Sequence, residues 1–233
     1  MPLIEARGVT HRYGEHHAAR TVLDEVDVRL TEQRIGVVGA NGSGKSTFAR
    51  TLNGLVLPTT GRVTVDGLDT RTDGRAVRRK VGFCFTDPDA QIVMPTVAED
   101  VAFGLRRRGF SKATIRAKVE AALTAYGLAD HADHPAHLLS GGQKQLLALA
   151  SVLVTEPDVL VMDEPTTLLD LRNALLISEV VADLPQQVVL VTHHLDLVAD
   201  FDRVLVFDEG RVVCDDVPGV AVAHYRSLMG ATP

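Results

Sequence analysis

Short stretches of this sequence contain the residue types that phosphate chemistry requires. The stretch GANGSGKST follows a short apolar run and predicts a loop that opens a helix. Its spacing fits G-x-x-x-x-G-K-[ST], in which glycines let backbone N–H groups converge on phosphate oxygens and the helix N-terminus adds its dipole. Lys45 is expected to reach the β- and γ-phosphates, and the Ser46 hydroxyl to bind Mg²⁺. The residues predicted to bind nucleotide here are Gly39, Ala40, Asn41, Gly42, Ser43, Gly44, Lys45, Ser46 and Thr47.

The second stretch is VLVMDEP, which places two acids after a buried strand. An acid at the end of such a strand can hold the Mg²⁺ shell, a role that suits Asp163, and the next acid, Glu164, can polarise a water in line with the γ-phosphate. The phosphate loop alone leaves kinase, GTPase and ATPase open. One carboxylate for metal and one for water favours hydrolysis.

The third stretch is HLLSGGQKQLLALA, in which Ser140 and Gln143 form a capping box at the start of a helix. Together with Gly141 and Gly142, they predict a second anion site of the same physical type as the phosphate loop. A chain with two such sites, far apart in sequence, can use both on one nucleotide if two chains pair head to tail.

Strand and helix patterns alternate along most of the chain, which predicts an α/β fold with a parallel sheet. Strands are expected at Val22–Leu30, Ile35–Val38, Arg62–Val65, Val81–Phe85, Val159–Met162 and Val188–Val191, with a hairpin of Val204–Phe207 and Arg211–Cys214. Helices are expected from Val97 after the Thr96/Glu99 capping box, from Ser111 to Gly127, over Leu146–Val154 and over Leu168–Leu184. The helical segment from about Thr96 to Ala136 interrupts the alternation and predicts an inserted subdomain.

Composition restricts the class of protein. The 233 residues fit one large α/β domain, and a net charge of −6 argues against a nucleic-acid binder that works by bulk charge. Cys84 and Cys214 have no metal-ligand spacing, so a reduced chain is expected. The first residues, MPLIEARG, lack the apolar region of a signal peptide, and Leu146–Val154 is too short to span a bilayer. Any work on a membrane is therefore expected to go through a partner.

With these motifs in place, the sequence resembles the ATP-binding cassette (ABC) ATPases, whose signature is LSGGQ, here Leu139–Gln143. The resemblance implies a P-loop NTPase core with an N-terminal antiparallel β-subdomain and an inserted α-helical subdomain at about 96–136, all in one domain of residues 1–233. It implies ATP and Mg²⁺ as ligands. It also implies that Tyr13 stacks on adenine, that Asp170 communicates across a dimer, and that His193 contacts the γ-phosphate.

The segment FTDPDAQIVMPTVAEDVAFG, Phe85–Gly104, resembles the energy-coupling factor ATPases, whose pattern is close to F-Q-N-P-D-x-Q followed by T-V-x-x-D/E-V-A-F-G. The chain departs from that pattern at Thr86, where relatives have a metal-sensing glutamine. Thr86 is therefore expected to meet Mg²⁺ only weakly, through a water. Gln91 matches the second glutamine and is expected to face the coupling partner.

This resemblance implies a peripheral protein on the cytoplasmic face of the cell membrane. Its expected partners are an integral membrane coupling protein, a substrate-binding membrane protein and a second ABC ATPase subunit, in a homodimer or a heterodimer, with no nucleic acid. Short members of the group resemble the biotin-dedicated ATPase, and cobalt or nickel uptake is the alternative. A soluble cluster-assembly factor and a P-loop kinase are further alternatives, although the kinase leaves LSGGQ unexplained. His131, His134 and His137 are expected to form a solvated loop rather than a metal site, because Pro135 breaks their spacing.

Overall fold

The fold is described from a computed structural model that covers residues 1–14, 20–106 and 108–230. The strands are β1 Ile4–Tyr13, β2 Arg20–Leu30, β3 Arg34–Gly39, β4 Thr60–Val65, β5 Leu68–Asp69, β6 Val81–Cys84, β7 Val159–Asp163, β8 Gln187–Val191, β9 Arg203–Asp208 and β10 Arg211–Asp216. The helices are α1 Lys45–Leu52, α2 Gly74–Lys80, α3 Val97–Phe103, α4 Lys112–Ala125, α5 Gly141–Leu153, α6 Leu171–Asp183 and α7 Pro218–Leu228. Among the described residues, no helix is both long and apolar enough to cross a membrane.

The chain forms two compact units. Unit 1 comprises Met1–Val81, Asp158–Glu164 and Leu184–Pro233, and unit 2 comprises Gly82–Pro157 and Pro165–Asp183. Unit 2 contains the predicted inserted segment of about 96–136 and extends beyond it on both sides, because α5 and α6 also belong to it.

Unit 1 is built on two sheets. The first is a four-stranded antiparallel sheet in the order β2-β1-β4-β5, as the family resemblance implied. In the second, β9, β3, β8 and β7 are neighbours in that order and run parallel, and β10 pairs antiparallel with β9. Every residue of β7 and β8 is buried, which explains why these strands read as continuous apolar runs. The carboxyl ends of β3, β7 and β8 therefore lie at one edge, where the phosphate-chemistry residues begin.

Two sequence predictions in these units miss by a residue or a turn. The alternation of Val22, Val26, Val28 and Leu30 with polar residues predicts a half-buried strand with Val22 on its buried face. Leu23 is fully buried and Val22 is not, because the strand pairing shifts register near Glu25, which has φ 49°. Helix α6 begins at Leu171 rather than Leu168, because the Asp170 side chain accepts a hydrogen bond from Asn173 N–H (2.8 Å) and so begins the helix later. The capping boxes at Thr96 and Ser140 are confirmed.

The two cysteines lie in different environments. Both thiols are free, with Cys84 buried and Cys214 partly exposed. Burial raises the pKa of the Cys84 thiol to about 12, so this group stays protonated and unreactive.

A buried carboxylate in unit 2 holds the start of the helical segment. Asp100 on α3 is 4% exposed, and its Oδ1 accepts hydrogen bonds from Val93 N–H (2.9 Å) and Met94 N–H (3.1 Å). Its Oδ2 accepts a third from the Ser151 hydroxyl on α5 (2.8 Å). One side chain thus satisfies two backbone donors of the preceding loop and ties α3 to α5.

Replacing this carboxylate tests its structural role. We expect Asp100→Leu to lower the free energy of unfolding by about 2 kcal/mol, because it leaves two part-buried N–H groups and the Ser151 hydroxyl without their acceptor. Asp100→Asn retains an acceptor oxygen and can donate to Ser151, so its cost should be about 1 kcal/mol or less. Urea unfolding measures both, and Asp130→Ala at an exposed position is the control. Equal effects of the Leu and Asn variants would contradict the role assigned to the hydrogen bonds.

Candidate active site

The phosphate loop begins where β3 passes closest to a neighbouring strand. Gly39 has φ 151°, and a Cβ placed on it would lie 2.2 Å from the carbonyl oxygen of Phe207 on β9. Only glycine fits at this position, because the neighbouring atom is backbone and cannot move aside. The loop is anchored to the β9–β10 turn, where the Gly210 N–H donates to the Ser43 carbonyl (3.0 Å). Helix α1 then begins at Lys45.

Lys45 lies inside the loop that it is predicted to serve. The residue is 5% exposed, and its Nζ donates to the carbonyl oxygens of Gly39 (2.7 Å) and Ala40 (2.9 Å). Burial lowers the pKa of this ammonium, while the nearby Glu164 and Asp163 carboxylates oppose that effect. A buried cation beside a ring of backbone N–H groups is suited to a polyphosphate, which supplies the compensating negative charge.

The hydroxyls of the loop fit a nucleotide and its metal. Ser43 is 4% exposed, and within the described residues its hydroxyl has no hydrogen-bond partner, so it can serve a phosphate oxygen. The Ser46 Oγ lies 2.7 Å from Asp163 Oδ1. A hydroxyl and a carboxylate are the hard oxygen donors that Mg²⁺ prefers, so this pair fits the predicted metal site. Thr86 follows β6 in unit 2, and its water-mediated metal contact stays a prediction.

Glu164 follows β7 in a strained conformation that its neighbours hold. Its φ is 53°, which is uncommon for a residue other than glycine, and its N–H donates to the Val191 carbonyl of β8 (2.9 Å). Its Oε2 lies 2.7 Å from His193 Nδ1 and accepts a longer hydrogen bond from His193 N–H (3.4 Å). The structure thus brings together the acid and the histidine that sequence analysis named as catalytic.

The signature helix of unit 2 uses its own side chains to hold its first turn. Ser140 Oγ accepts from Gln143 N–H (3.3 Å), and Gln143 Oε1 accepts from Ser140 N–H (2.9 Å). Gln143 Nε2 also lies 2.9 Å from His131 Nε2. A Cβ on Gly142 would lie 2.3 Å from the side chain of Asn173 on α6, so a larger residue here would force the Asn173 side chain to shift. The N–H groups of the first turn are therefore the anion-binding groups at this end.

Gln91 has a different environment from the one expected of a partner-facing residue. Its Oε1 accepts from Phe85 N–H (3.2 Å), and its Nε2 donates to the Ala148 carbonyl of α5 (2.8 Å). Both ends of the amide are thus engaged within unit 2, where they join the loop after β6 to the signature helix. Its coupling role stays a prediction, and the geometry makes that role indirect.

A second contact joins the same two elements. Lys144 on α5 donates to both carboxylate oxygens of Asp89, at 2.8 and 2.9 Å. The Asp89 side chain is exposed, whereas that of Lys144 is 17% exposed. We call Asp89, Gln91, Lys144 and Ala148 the loop–helix bracket.

The remaining candidates lie at element ends. Tyr13 ends β1, is 46% exposed and forms a T-shaped pair with the His11 ring, with the ring centroids 4.5 Å apart. Its stacking on adenine stays a prediction. Asp170 precedes α6 and caps it. His131 Nδ1 lies 2.9 Å from His134 Nδ1, and the described residues hold no group of His, Cys, Asp and Glu side chains arranged for a metal ion.

Sequence analysis missed several supporting residues. Arg50 contacts Asp163, and its i, i+4 spacing from Ser46 on α1 could have indicated it. Lys144, Asp89 and Asn173 make contacts that join separate elements, and no local pattern points to such pairs.

The comparisons with known proteins agree with this geometry. The family described as ABC transporter matches residues 23–167. The biotin transport ATP-binding protein BioM of Rhizobium etli is 50% identical over 215 residues, which cover 92% of this chain and 96% of that protein. The energy-coupling factor transporter ATP-binding protein EcfA1 of Symbiobacterium thermophilum is 46% identical, with coverage of 91% and 78%.

Two further relatives are named for cobalt import or for a related complex. The cobalt import ATP-binding protein CbiO of Syntrophus aciditrophicus is 39% identical, with coverage of 95% and 81%. The solved structure of cbiO1 from Clostridium perfringens, part of the ABC transporter complex cbiONQ, superposes with a TM-score of 0.81 at 30% identity, with coverage of 97% and 93%. The chain therefore belongs to the ABC transporter family, as an ATPase that groups with those of energy-coupling factor transporters.

Proposed function

We propose that the chain is the ATP-hydrolysing subunit of a bacterial importer and that the imported substrate is biotin. The observation that supports biotin is the 50% identity to BioM over nearly the whole of both chains, compared with 39% to the cobalt import protein. The residues of the nucleotide site are assigned to phosphate, metal and water, so they do not choose between imported substrates. Import of cobalt is the second candidate, because the relative named for it covers 95% of the chain.

Hydrolysis in this proposal uses the residues at the edge of the parallel sheet. Lys45 and the loop N–H groups hold the β- and γ-phosphates. Ser46 and Asp163 would hold Mg²⁺, which would neutralise charge on the phosphate oxygens. Glu164 accepts the proton of the attacking water. His193, 2.7 Å from the Glu164 carboxylate, keeps that carboxylate in place and offers its other ring nitrogen to the γ-phosphate.

Two chains complete each site in this proposal. The N-terminus of α5, with its two glycines after Ser140, presents backbone N–H groups to the γ-phosphate of ATP held by a second subunit. Asp170 lies at the start of α6, next to Asn173, which packs on Gly142. A change at Asp170 across the dimer can therefore reach the signature through a contact in unit 2.

Unit 2 also offers a surface for the membrane coupling protein. Helices α3 and α4 line a groove of about 910 Å³ with apolar residues that include Ala98, Ala102, Ile115 and Val119. Phe110 at its side is 40% exposed, and arginines and acids surround the apolar floor. This is the chemistry that an amphipathic helix of a cytoplasmic loop would match. We assign the groove to such a helix of the coupling protein, at the cytoplasmic face of the membrane.

The loop–helix bracket gives Gln91 its part in coupling. The groove lies in the segment that begins after Gln91, and the bracket ties that loop to α5 through Gln91–Ala148 and Lys144–Asp89. Movement of the loop on docking is then passed to the helix whose N-terminus meets ATP. Thr86 contributes a weaker metal contact through a water than the glutamine of relatives.

The identity of the base is tested by Glu164→Gln. We expect ATP binding to remain and hydrolysis to fall about 10²–10⁴-fold, because the amide cannot accept the proton of the water. Phosphate release and nucleotide binding are measured on the same preparation. Glu209→Gln, at another glutamate with positive φ, is the matched control and should retain the native rate. Hydrolysis by Glu164→Gln at more than about half the native rate would remove Glu164 as the base.

The shared site is tested by Ser140→Arg. We expect loss of ATPase activity with intact nucleotide binding to the separate subunit, because the arginine blocks contact with ATP on the other chain. In a 1:1 mixture with Lys45→Ala, activity should return to at most about a quarter of the native rate, since half of the dimers are mixed and each has one intact site.

Ser111→Arg is the control for this experiment, because Ser111 is also an exposed N-cap serine but lies at the start of α4. Native ATPase activity of Ser140→Arg on its own, without the Lys45→Ala chain, would contradict the shared site.

The substrate is tested by uptake. Vesicles that contain the ATPase with a coupling protein and a biotin-binding membrane protein should accumulate labelled biotin in an ATP-dependent manner, and Glu164→Gln should abolish the uptake. Cobalt and nickel uptake are measured in parallel. Accumulation of a metal without biotin would replace biotin by the second candidate, and purification with only soluble partners would overturn the import function.

A further inference from the structure

The buried Asp163 carboxylate has different partners on its two oxygens. Its side chain is 1% exposed, and Oδ1 accepts from the Ser46 hydroxyl at 2.7 Å. Oδ2 lies 3.2 Å from Nη2 of Arg50. The oxygen that faces the metal-binding hydroxyl is thus distinct from the oxygen that faces the arginine.

Helix α1 supplies both of these partners. Ser46 and Arg50 have i, i+4 spacing, so they lie on the same face of the helix, one turn apart. The Arg50 side chain is 41% exposed, yet its Nε is buried and has no hydrogen-bond partner among the described residues. The side chain therefore has its Nε enclosed by the protein and its Nη2 at the carboxylate, while other atoms of it meet solvent.

A carboxylate with one oxygen fixed has a restricted orientation. Groups that hydrogen-bond a metal ligand fix its rotation and typically change metal affinity when they are removed. Rotation of the Asp163 carboxylate about χ2 would turn its oxygens away from Ser46 and Arg50, and the Arg50 contact to Oδ2 opposes that rotation. The remaining oxygen then stays directed at Ser46.

We infer that Arg50 is a positioning residue for the metal site: it holds Asp163 Oδ2 so that Oδ1 and the Ser46 hydroxyl face Mg²⁺ together. This inference rests on the proposed Mg²⁺ site at Ser46 and Asp163. The opposite role, in which the guanidinium competes with the metal for Asp163, requires Arg50 to face the oxygen that also faces Ser46. The distances place it on the other oxygen.

The test separates metal binding from nucleotide binding. A non-hydrolysable ATP analogue is titrated into the full chain by calorimetry, first in EDTA and then over a series of Mg²⁺ concentrations. We expect Arg50→Gln to raise the Mg²⁺ concentration for half-maximal enhancement of binding by ~10–100-fold, with the affinity in EDTA unchanged. Arg50→Lys should lie between the two, because lysine retains the charge but lacks the planar fork.

Arg62→Gln is the matched control, because Arg62 also pairs with an aspartate, Asp69, at 2.7 Å but lies on β4 away from the phosphate loop. It should leave the Mg²⁺ requirement at the native value. Thermal unfolding of all variants shows whether the fold is retained.

Four other results of the Mg²⁺ titration would contradict the role assigned to Arg50. A lower Mg²⁺ requirement in Arg50→Gln would make Arg50 a competitor of the metal, and an unchanged requirement would remove its positioning role. An equal loss of affinity with and without Mg²⁺ would assign Arg50 to the nucleotide or to the fold instead. If the native chain shows no Mg²⁺ dependence, the metal site itself is wrong and the inference is overturned with it.

Discussion

Parallel pairing of β3, β8 and β7 is the constraint on which the catalytic residues depend. In this ladder Asp163 is opposite Val191, and Val191 is opposite Val37, so β7 and β8 end at one level and β3 continues two residues further, to Gly39 at the start of the phosphate loop. Hydrogen bonds continue past the strand ends, from Glu164 N–H to Val191 and from Thr192 N–H to Val37. Because side chains alternate along a strand, a slip of one residue would turn Asp163 away from Ser46. The pairing register of these strands therefore determines which side chains can reach the site.

Local signals in the sequence predicted local structure well. The capping boxes at Thr96 and Ser140 lie within single turns, and the buried runs of β7 and β8 were evident because both faces of these strands are covered. The inward face of β2 was misassigned because the register shift near Glu25 depends on pairing with β1. The start of α6 was placed too early because a side-chain cap overrides an apolar run.

The site residues also divide into those that a local motif predicts and those whose role depends on distant residues. The loop, the two acids and the histidine could be predicted because each belongs to a motif of a few adjacent residues, and the structure brings Ser46 to Asp163 and Glu164 to His193. Arg50 and Lys144 were missed because their meaning comes from distant residues, Asp163 and Asp89, that folding brings next to them. Gln91 was recognised by position, but only its contacts with Phe85 and Ala148 show that it supports a loop.

The close packing of Asn173 on Gly142 has a consequence for the history of the sequence. A Cβ at position 142 would meet the Asn173 amide at 2.3 Å, so position 142 cannot gain a side chain while the Asn173 side chain stays in place. A larger residue at 142 becomes possible only after a smaller one is established at 173, and the intermediate must still bind nucleotide. Substitutions at these two positions are therefore ordered in time, and related sequences should show them varying as a pair.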